Sequence, residues 1–68
     1  MKKQTFLLIK GERVEADGAL RTVEAVETCY DRHYGRVVVV HFADQTRREY
    51  LMKELVEVLP ALKEGATL

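Results

Sequence analysis

The sequence predicts a small, mainly β protein that folds as a single domain. Its 68 residues allow one modest core, because a chain this short buries only about 60% of the surface it exposes when unfolded. Hydrophobic residues make up 47% and charged residues 32%, a globular composition. Short β-branched or alternating runs recur between turn signals, which is typical of strands. We expect one domain over residues 1–68, with its core at 5–62 and a frayed tail at 65–68.

Two strands and a tight turn are predicted in the N-terminal part. Residues 5–9 form a short β-branched and aromatic run, which indicates a strand or an arm docked on a sheet. Residues 11–16 alternate charged and apolar side chains, the pattern of a strand with one solvated face. Asp17-Gly18 is a turn signal, because glycine adopts positive φ without steric cost. Residues 20–30 fit either a helix or a strand, and their β-branched residues favour the strand.

The clearest strand lies at residues 36–42, which contain four consecutive valines. Because apolar side chains then point to both faces, we expect this strand to be central and covered on both sides. The polar loop at 31–35 ends in glycine, as a hairpin with a four- or five-residue connection requires. A second turn at 43–46 leads into a returning strand at 47–51.

The C-terminal segment is open to two interpretations. Apolar residues recur at helical spacing from Leu51 to Leu62, but Pro60 would break such a helix. A helical turn at 53–55 followed by a strand at 56–59 fits equally well. The alternative fold is therefore α+β, with a C-terminal helix packed on an antiparallel sheet.

The order of these elements is the layout of an SH3-like barrel of about five strands with a short C-terminal helical segment. Four segments resemble Tudor-like and KOW-like barrels, nearest to the C-terminal Tudor-like domains of UvrD-type DNA helicases. They are Gly11-Glu12-Arg13-Val14, residues 20–26, Val38-Val39-Val40-His41-Phe42-Ala43-Asp44, and the closing pair Tyr50-Leu51 with Leu55-x-x-x-Leu59. The resemblance implies protein or nucleic-acid binding without catalysis.

The chain departs from that family at three places. The glycine-rich turn before the second strand is reduced to Gly18-Ala19, and Gln45 stands where the family has glycine. The segment at 5–9 is an addition.

Charge, length and cysteine usage narrow the classes of function. Eleven basic and eleven acidic residues give zero net charge, whereas phosphate-led nucleic-acid binders usually carry a positive excess. The apolar run at 6–9 is too short for a signal peptide or a membrane span. The single cysteine, Cys29, cannot form an internal disulfide, which favours a reducing compartment. We expect a cytoplasmic protein without membrane contact.

No pattern indicates an enzyme, a cofactor or a metal site. The residues of metal-ligand type lack the paired spacing of zinc sites: Cys29, Asp31, His33 and His41. A catalytic pocket is hard to fit into a chain whose small interior must be filled. An aromatic cage for a methylated cation is a less favoured alternative to ordinary packing for Tyr30, Tyr34, Phe42 and Tyr50.

A candidate binding patch combines basic and aromatic residues from two turns expected to be neighbours: Arg32, His33, Tyr34, Arg36, Arg47 and Arg48. Arginine beside an aromatic platform is typical of single-stranded nucleic-acid binding. Interleaved acidic residues at 31, 44 and 49 favour instead a solvated face of mixed charge.

The valine run has one apolar face more than a small barrel's interior needs, and a spare apolar face usually marks an interaction site. Our leading hypothesis is a non-catalytic binding or adaptor module that recognises another protein within a nucleic-acid-processing assembly. A homodimer through the valine-rich strand is a further expectation. The alternative is a module that binds DNA or RNA through the arginine and tyrosine patch.

Overall fold

The computed structural model describes residues 1–59, which form six strands in one antiparallel sheet. The order across the sheet is β1-β6-β2-β3-β4-β5, so β1 and β5 are its edges. The strands are β1 Lys2–Gln4, β2 Arg13–Ala16, β3 Ala19–Asp31, β4 Gly35–Phe42, β5 Arg47–Leu51 and β6 Leu55–Leu59, with a 3₁₀ turn at Thr5–Leu7. The mainly β class predicted from the sequence is confirmed.

The turn between β2 and β3 is the one that the Asp-Gly pair predicts. Asp17 and Gly18 have φ angles of 54° and 78°, and Ala16 pairs with Ala19 across the turn. Two central residues with positive φ form a type I′ turn, whose twist matches that of the flanking strands. The ambiguous segment after it is a strand, as its β-branched residues predicted.

The connection between β3 and β4 is shorter than expected. Asp31 pairs with Gly35, which leaves three connecting residues rather than four or five. The Asp31 carboxylate accepts the backbone N–H groups of His33 and Tyr34, at 2.7 and 3.0 Å. Gly35, the first residue after the connection, has a φ of 75°, a left-handed conformation that glycine adopts without steric cost.

β3 bends where it passes from one neighbour to the other. Its pairing with β4 shifts register between Val23 and Ala25, which marks a bulge. The first half of β3 pairs with β2 and the second half with β4. The Val23 N–H also donates to the carbonyl of Glu12 at 2.7 Å, and its carbonyl accepts the N–H of Gly11 at 2.9 Å. The long strand therefore joins the two halves of the sheet.

β4 is covered on both faces, as the four valines predicted. All four valines are buried, and β3 and β5 pair with the two edges of the strand. Val38 and Val40 belong to the core, while Val37 and Val39 point to the opposite face. The buried core cluster is Leu8, Val14, Ala16, Val23, Val38, Val40, Phe42, Tyr50 and Val58.

The N-terminal segment differs from the predicted strand at 5–9. The strand lies earlier, at β1, and Thr5–Leu7 form a 3₁₀ turn. Two backbone hydrogen bonds hold this turn: the Thr5 N–H donates to the Glu54 carbonyl at 3.1 Å, and the Leu8 N–H donates to the Thr5 carbonyl at 3.2 Å. Leu8 then enters the core, so the interpretation as a docked arm fits the structure better.

The C-terminal helix predicted as an alternative is wrong for the residues that the structure describes. Leu55–Leu59 form β6, which pairs with β1 on one side and β2 on the other. A turn closed by the Glu54 N–H and the Leu51 carbonyl, at 3.1 Å, replaces the short helical segment expected at 53–55. Because β6 is paired along both edges, its backbone N–H and C=O groups find hydrogen-bond partners without a helix. Residues 60–62 of the predicted core and the tail at 65–68 lie outside the described part.

No helix within residues 1–59 has the length and apolar character needed to cross a membrane.

Candidate functional site

The end of the β3–β4 hairpin extends past the neighbouring strand. The pairing of β4 with β5 stops at Val37 and Leu51, whereas β3 and β4 remain paired through Tyr30 and Arg36. Tyr30 is 81% exposed, and Tyr34 in the connection is 70% exposed. Two large aromatic side chains therefore stand in solvent at the end of the hairpin.

An open cleft of about 550 Å³ lies beside this hairpin. It brings together three segments that are distant in sequence: the 3₁₀ turn, the β3–β4 hairpin and the turn after β5. Its lining residues are Phe6, Thr28, Cys29, Tyr30, Arg36 and Met52. Phe6 is also exposed, so the cleft offers accessible aromatic and thioether surface around one guanidinium.

The positive charge at this cleft is not neutralised within the described part of the chain. The ion pairs of residues 1–59 involve other cations and leave Arg32 and Arg36 without a carboxylate partner. The nearest acidic residue in sequence, Asp31, has a carboxylate oxygen occupied by two backbone N–H groups. The cleft therefore has a cationic rim.

The six residues of the predicted binding patch fall into two groups. Arg32, His33 and Tyr34 form the β3–β4 connection, with Arg36 beside them at the start of β4. His33 and Tyr34 contact each other edge to face, with ring centroids 6.4 Å apart. The structure thus brings the first four residues together.

Arg47 and Arg48 lie at the other end of β4, opposite His41 and Val40. The two turns expected to be neighbours are at opposite ends of that strand. Arg48 is engaged locally, because it binds the Asp17 carboxylate and lies 5.6 Å from the centroid of the Tyr50 ring. The hydrogen bond to Asp17 and the negative charge of its carboxylate raise the pKa of Arg48.

Sequence reasoning missed Phe6, Thr28 and Met52 as parts of one site. They come from segments that only the folded sheet brings together, so no local spacing signals them. The four residues considered for an aromatic cage do not lie together. Phe42 and Tyr50 are in the core, whereas Tyr30 and Tyr34 are exposed at the hairpin.

A second cavity, of about 300 Å³, lies where β5 approaches the other half of the sheet. Residues of β1, β2, β5 and β6 line it, including Lys2, Arg48, Tyr50 and Val56. The Tyr50 side chain is buried, and its hydroxyl has no hydrogen-bond partner among the described residues. This burial raises the pKa of Tyr50.

The residues of metal-ligand type are dispersed. Cys29 is exposed. His41 contacts Glu27 at 2.6 Å, away from the end of the hairpin. Within residues 1–59 no three cysteine, histidine or acidic side chains form a group that could hold a metal ion.

Comparison with known proteins finds no matching family model, no matching curated protein and no matching solved structure.

Proposed function

We propose that this chain is an SH3-like barrel of the Tudor-like type and acts as a non-catalytic, cytoplasmic binding module. Its ligand is another protein, within a nucleic-acid-processing assembly, and its binding site is the cleft beside the β3–β4 hairpin. The sequence resemblance to the Tudor-like domains of UvrD-type helicases supports the proposal that this ligand belongs to a nucleic-acid-processing assembly. The exposed, unpaired Cys29 suits a reducing compartment.

Three features support the barrel. β6, the last strand within residues 1–59, returns to lie beside β2, the first of the four strands that follow one another across the sheet. β3 carries a bulge, the device by which sheets curve. The ion pair between Arg48 and Asp17 ties the edge strand β5 to the β2–β3 turn, and the second cavity has lining residues from both sides of that gap.

The observation that carries the function is the convergence of Phe6, Tyr30 and Met52 around Arg36 in one accessible cleft. Aromatic residues, methionine and arginine are the residue types enriched in protein interfaces. Exposed tyrosine supplies a large contact area with few rotatable bonds, so ordering it on binding costs little entropy. A net charge of zero and only two unpaired arginines at the hairpin favour a protein ligand over a polyanion.

The test is selection of a random phage-displayed peptide library on the immobilised protein. A selected peptide is then titrated into isotope-labelled protein and followed by backbone amide shifts. We expect the shifts to centre on Phe6, Tyr30 and Met52. Tyr30→Ala should abolish binding, because it removes the exposed wall of the cleft, whereas Tyr34→Ala is the matched control outside it. Equal losses in both variants, or shifts confined to another surface, would contradict the proposed site.

A second candidate function is binding of single-stranded nucleic acid at the same hairpin. It is favoured by the two exposed tyrosines together with Arg32 and Arg36, since bases stack on aromatic rings and phosphates pair with arginine. Titration with a short oligothymidine at several salt concentrations separates the two functions. Two phosphate contacts predict a slope of log K against log salt of about −1.4, and Arg36→Ala should reduce its size by about 0.7. Protein binding through apolar contacts predicts little salt dependence.

A further inference from the structure

β5 is the longer of the two edge strands of the described sheet, and most of its residues are charged. β4, the valine-rich strand, has neighbours on both edges, so a second copy could meet it only through a face of the sheet. β5 pairs with β4 alone and spans Arg47–Leu51. A free strand edge carries unpaired N–H and C=O groups that another strand can use.

The register shows which backbone groups of β5 are free. The Phe42 N–H donates to the Thr46 carbonyl at 2.8 Å, and inward-facing backbone groups alternate along an antiparallel pair. Arg48 and Tyr50 therefore face β4 with both backbone groups, whereas Arg47, Glu49 and Leu51 face outward. Leu51 is already occupied, because its N–H donates to the Glu54 carboxylate at 3.2 Å and its carbonyl accepts the Glu54 N–H at 3.1 Å. The free edge thus consists of Arg47 and Glu49.

The side chains of these two residues have opposite charges and share one face of the sheet, because they are two residues apart on a strand. Both are exposed, and neither forms an ion pair within the described residues. They are placed symmetrically about Arg48. A strand with this arrangement is complementary in charge to an antiparallel copy of itself.

We propose that a second copy of this chain adds its β5 antiparallel to this edge, with the two-fold axis at Arg48. Arg47 then lies opposite Glu49 of the second copy, and Glu49 opposite Arg47 of the second copy. Each of these pairs exchanges two backbone hydrogen bonds, which gives four in total. Directly opposite side chains of unlike charge stabilise such a pairing.

The one like-charge contact of this register is already compensated. Arg48 meets Arg48 of the second copy on the other face of the sheet, but each guanidinium is bound by the Asp17 carboxylate of its own chain. The shifted register with Glu49 opposite itself would place two uncompensated carboxylates together, which is destabilising. Of these two registers, charge favours the one centred on Arg48. An apolar strand of an unrelated protein would find charged residues along this edge, which natural sheets use to prevent such pairing.

The test is sedimentation of the purified protein from micromolar to millimolar concentration, together with two charge reversals. We expect the wild-type chain to form dimers as concentration rises. Arg47→Glu and Glu49→Arg should each be monomeric, because each places like charges opposite one another. An equimolar mixture of the two variants should regain the dimer, since its chains are complementary only to each other. The double variant, Arg47→Glu with Glu49→Arg, is the matched control and should dimerise like the wild type.

A wild-type chain that stays monomeric at millimolar concentration overturns the proposal, and so does a dimer that either single reversal leaves intact. Amide hydrogen exchange gives a second readout that needs no variant. The Arg47 and Glu49 amides should become protected as concentration rises, while the Arg48 and Tyr50 amides are protected at every concentration. Unchanged exchange at Arg47 and Glu49 in a dimeric sample would place the interface elsewhere. These outcomes are independent of the cleft, so they leave the proposed binding function untouched.

Discussion

The Lys3 ammonium lies 2.9 Å from one carboxylate oxygen of Glu12 and 3.0 Å from the other. Glu12 is only 6% exposed and also accepts the backbone N–H of Ile9 at 2.9 Å. One buried carboxylate thus connects the edge strand β1, the segment after the 3₁₀ turn and the start of β2. Because Leu8 enters the core within this loop, the contact holds the N-terminal arm against the sheet.

Lys3→Met should destabilise the protein by about 2 kcal/mol, because it leaves a buried carboxylate without its cation while keeping the aliphatic length of the side chain. The free energy of unfolding from urea titration measures this loss. Lys10→Met is the matched control: Lys10 pairs with Glu24 at 3.2 Å, but both side chains are largely exposed. Exposed pairs contribute about 0–1 kcal/mol. Equal losses in the two variants would show that burial of Glu12 has no special role.

The same contact predicts a particular acid sensitivity. Burial alone would raise the pKa of Glu12, but the hydrogen bond from Lys3, the N–H of Ile9 and the charge of Lys3 outweigh it, and the pKa lies below its ordinary value of 4.5. A carboxylate whose pKa is lower in the folded state contributes stability above its unfolded pKa. That contribution is lost as pH falls through the folded pKa.

Glu12→Gln should therefore weaken the protein near neutral pH but flatten the loss of stability below pH 4.5. Urea titrations at a series of pH values measure both effects. Hydrogen bonds from Thr46 lower the pKa of Asp44, and the N-terminal ammonium lowers that of Glu57, so part of the acid sensitivity should remain in the variant. An unchanged pH dependence in Glu12→Gln would contradict the role of Glu12.

At Thr5 we expect a substitution that keeps or increases the stability of the protein, in contrast to those at Lys3 and Glu12. Its side chain is fully buried, and its hydroxyl has no hydrogen-bond partner in the part of the chain that the structure describes. Thr5→Val keeps the shape and removes the unpaired polar group, so it should leave the protein as stable or up to about 1 kcal/mol more stable. Thr5→Ser keeps the hydroxyl, loses a buried methyl group and should destabilise by about 1 kcal/mol. Thermal and urea unfolding of the pair give the comparison, and a clear loss in Thr5→Val would reveal a partner for the hydroxyl.

The parts of the fold that local residue patterns determine were predictable from the sequence. Four successive valines require cover on both faces, and β4 has it. Asp17-Gly18 favours a type I′ turn wherever two strands meet, and the structure has that turn. In both cases the residues themselves carry the preference, so no tertiary contact is needed to predict the outcome.

The parts that long-range pairing determines were not predictable. The segment after Leu51 has helical spacing, yet the free edges of β1 and β2 draw Leu55–Leu59 into the sheet. The candidate site has the same origin: Phe6 and Met52 meet Tyr30 only because the folded chain brings the 3₁₀ turn and the turn after β5 to the β3–β4 hairpin. The two groups of arginines were expected to come from neighbouring turns of the barrel. Their turns instead lie at opposite ends of β4, because consecutive turns of an antiparallel sheet fall at opposite ends of the strand between them.

Gln45 stands where the Tudor-like barrels that the sequence resembles have glycine, and substitutions at this position give a further prediction. The residue lies in the β4–β5 turn with a φ of 74°, the left-handed region that side chains with a Cβ adopt at a cost. The turn is otherwise well held, because the Asp44 carboxylate accepts the Thr46 N–H at 3.0 Å and binds Arg21 at 3.1 Å. Gln45→Gly should therefore stabilise the protein by about 1 kcal/mol, with the gain measured by urea titration.

Gln45→Ala is the control for that gain, because it shortens the exposed side chain but keeps the Cβ and its strain. Its stability should stay close to that of the wild-type chain. Gly18→Ala provides the reverse change at a φ of 78°, where a Cβ would meet no atom within 4 Å, so any loss there is purely one of backbone conformation. That loss should match the gain from Gln45→Gly in size. If Gln45→Ala stabilises as much as Gln45→Gly, the side chain of glutamine and not its φ angle is the source of the strain.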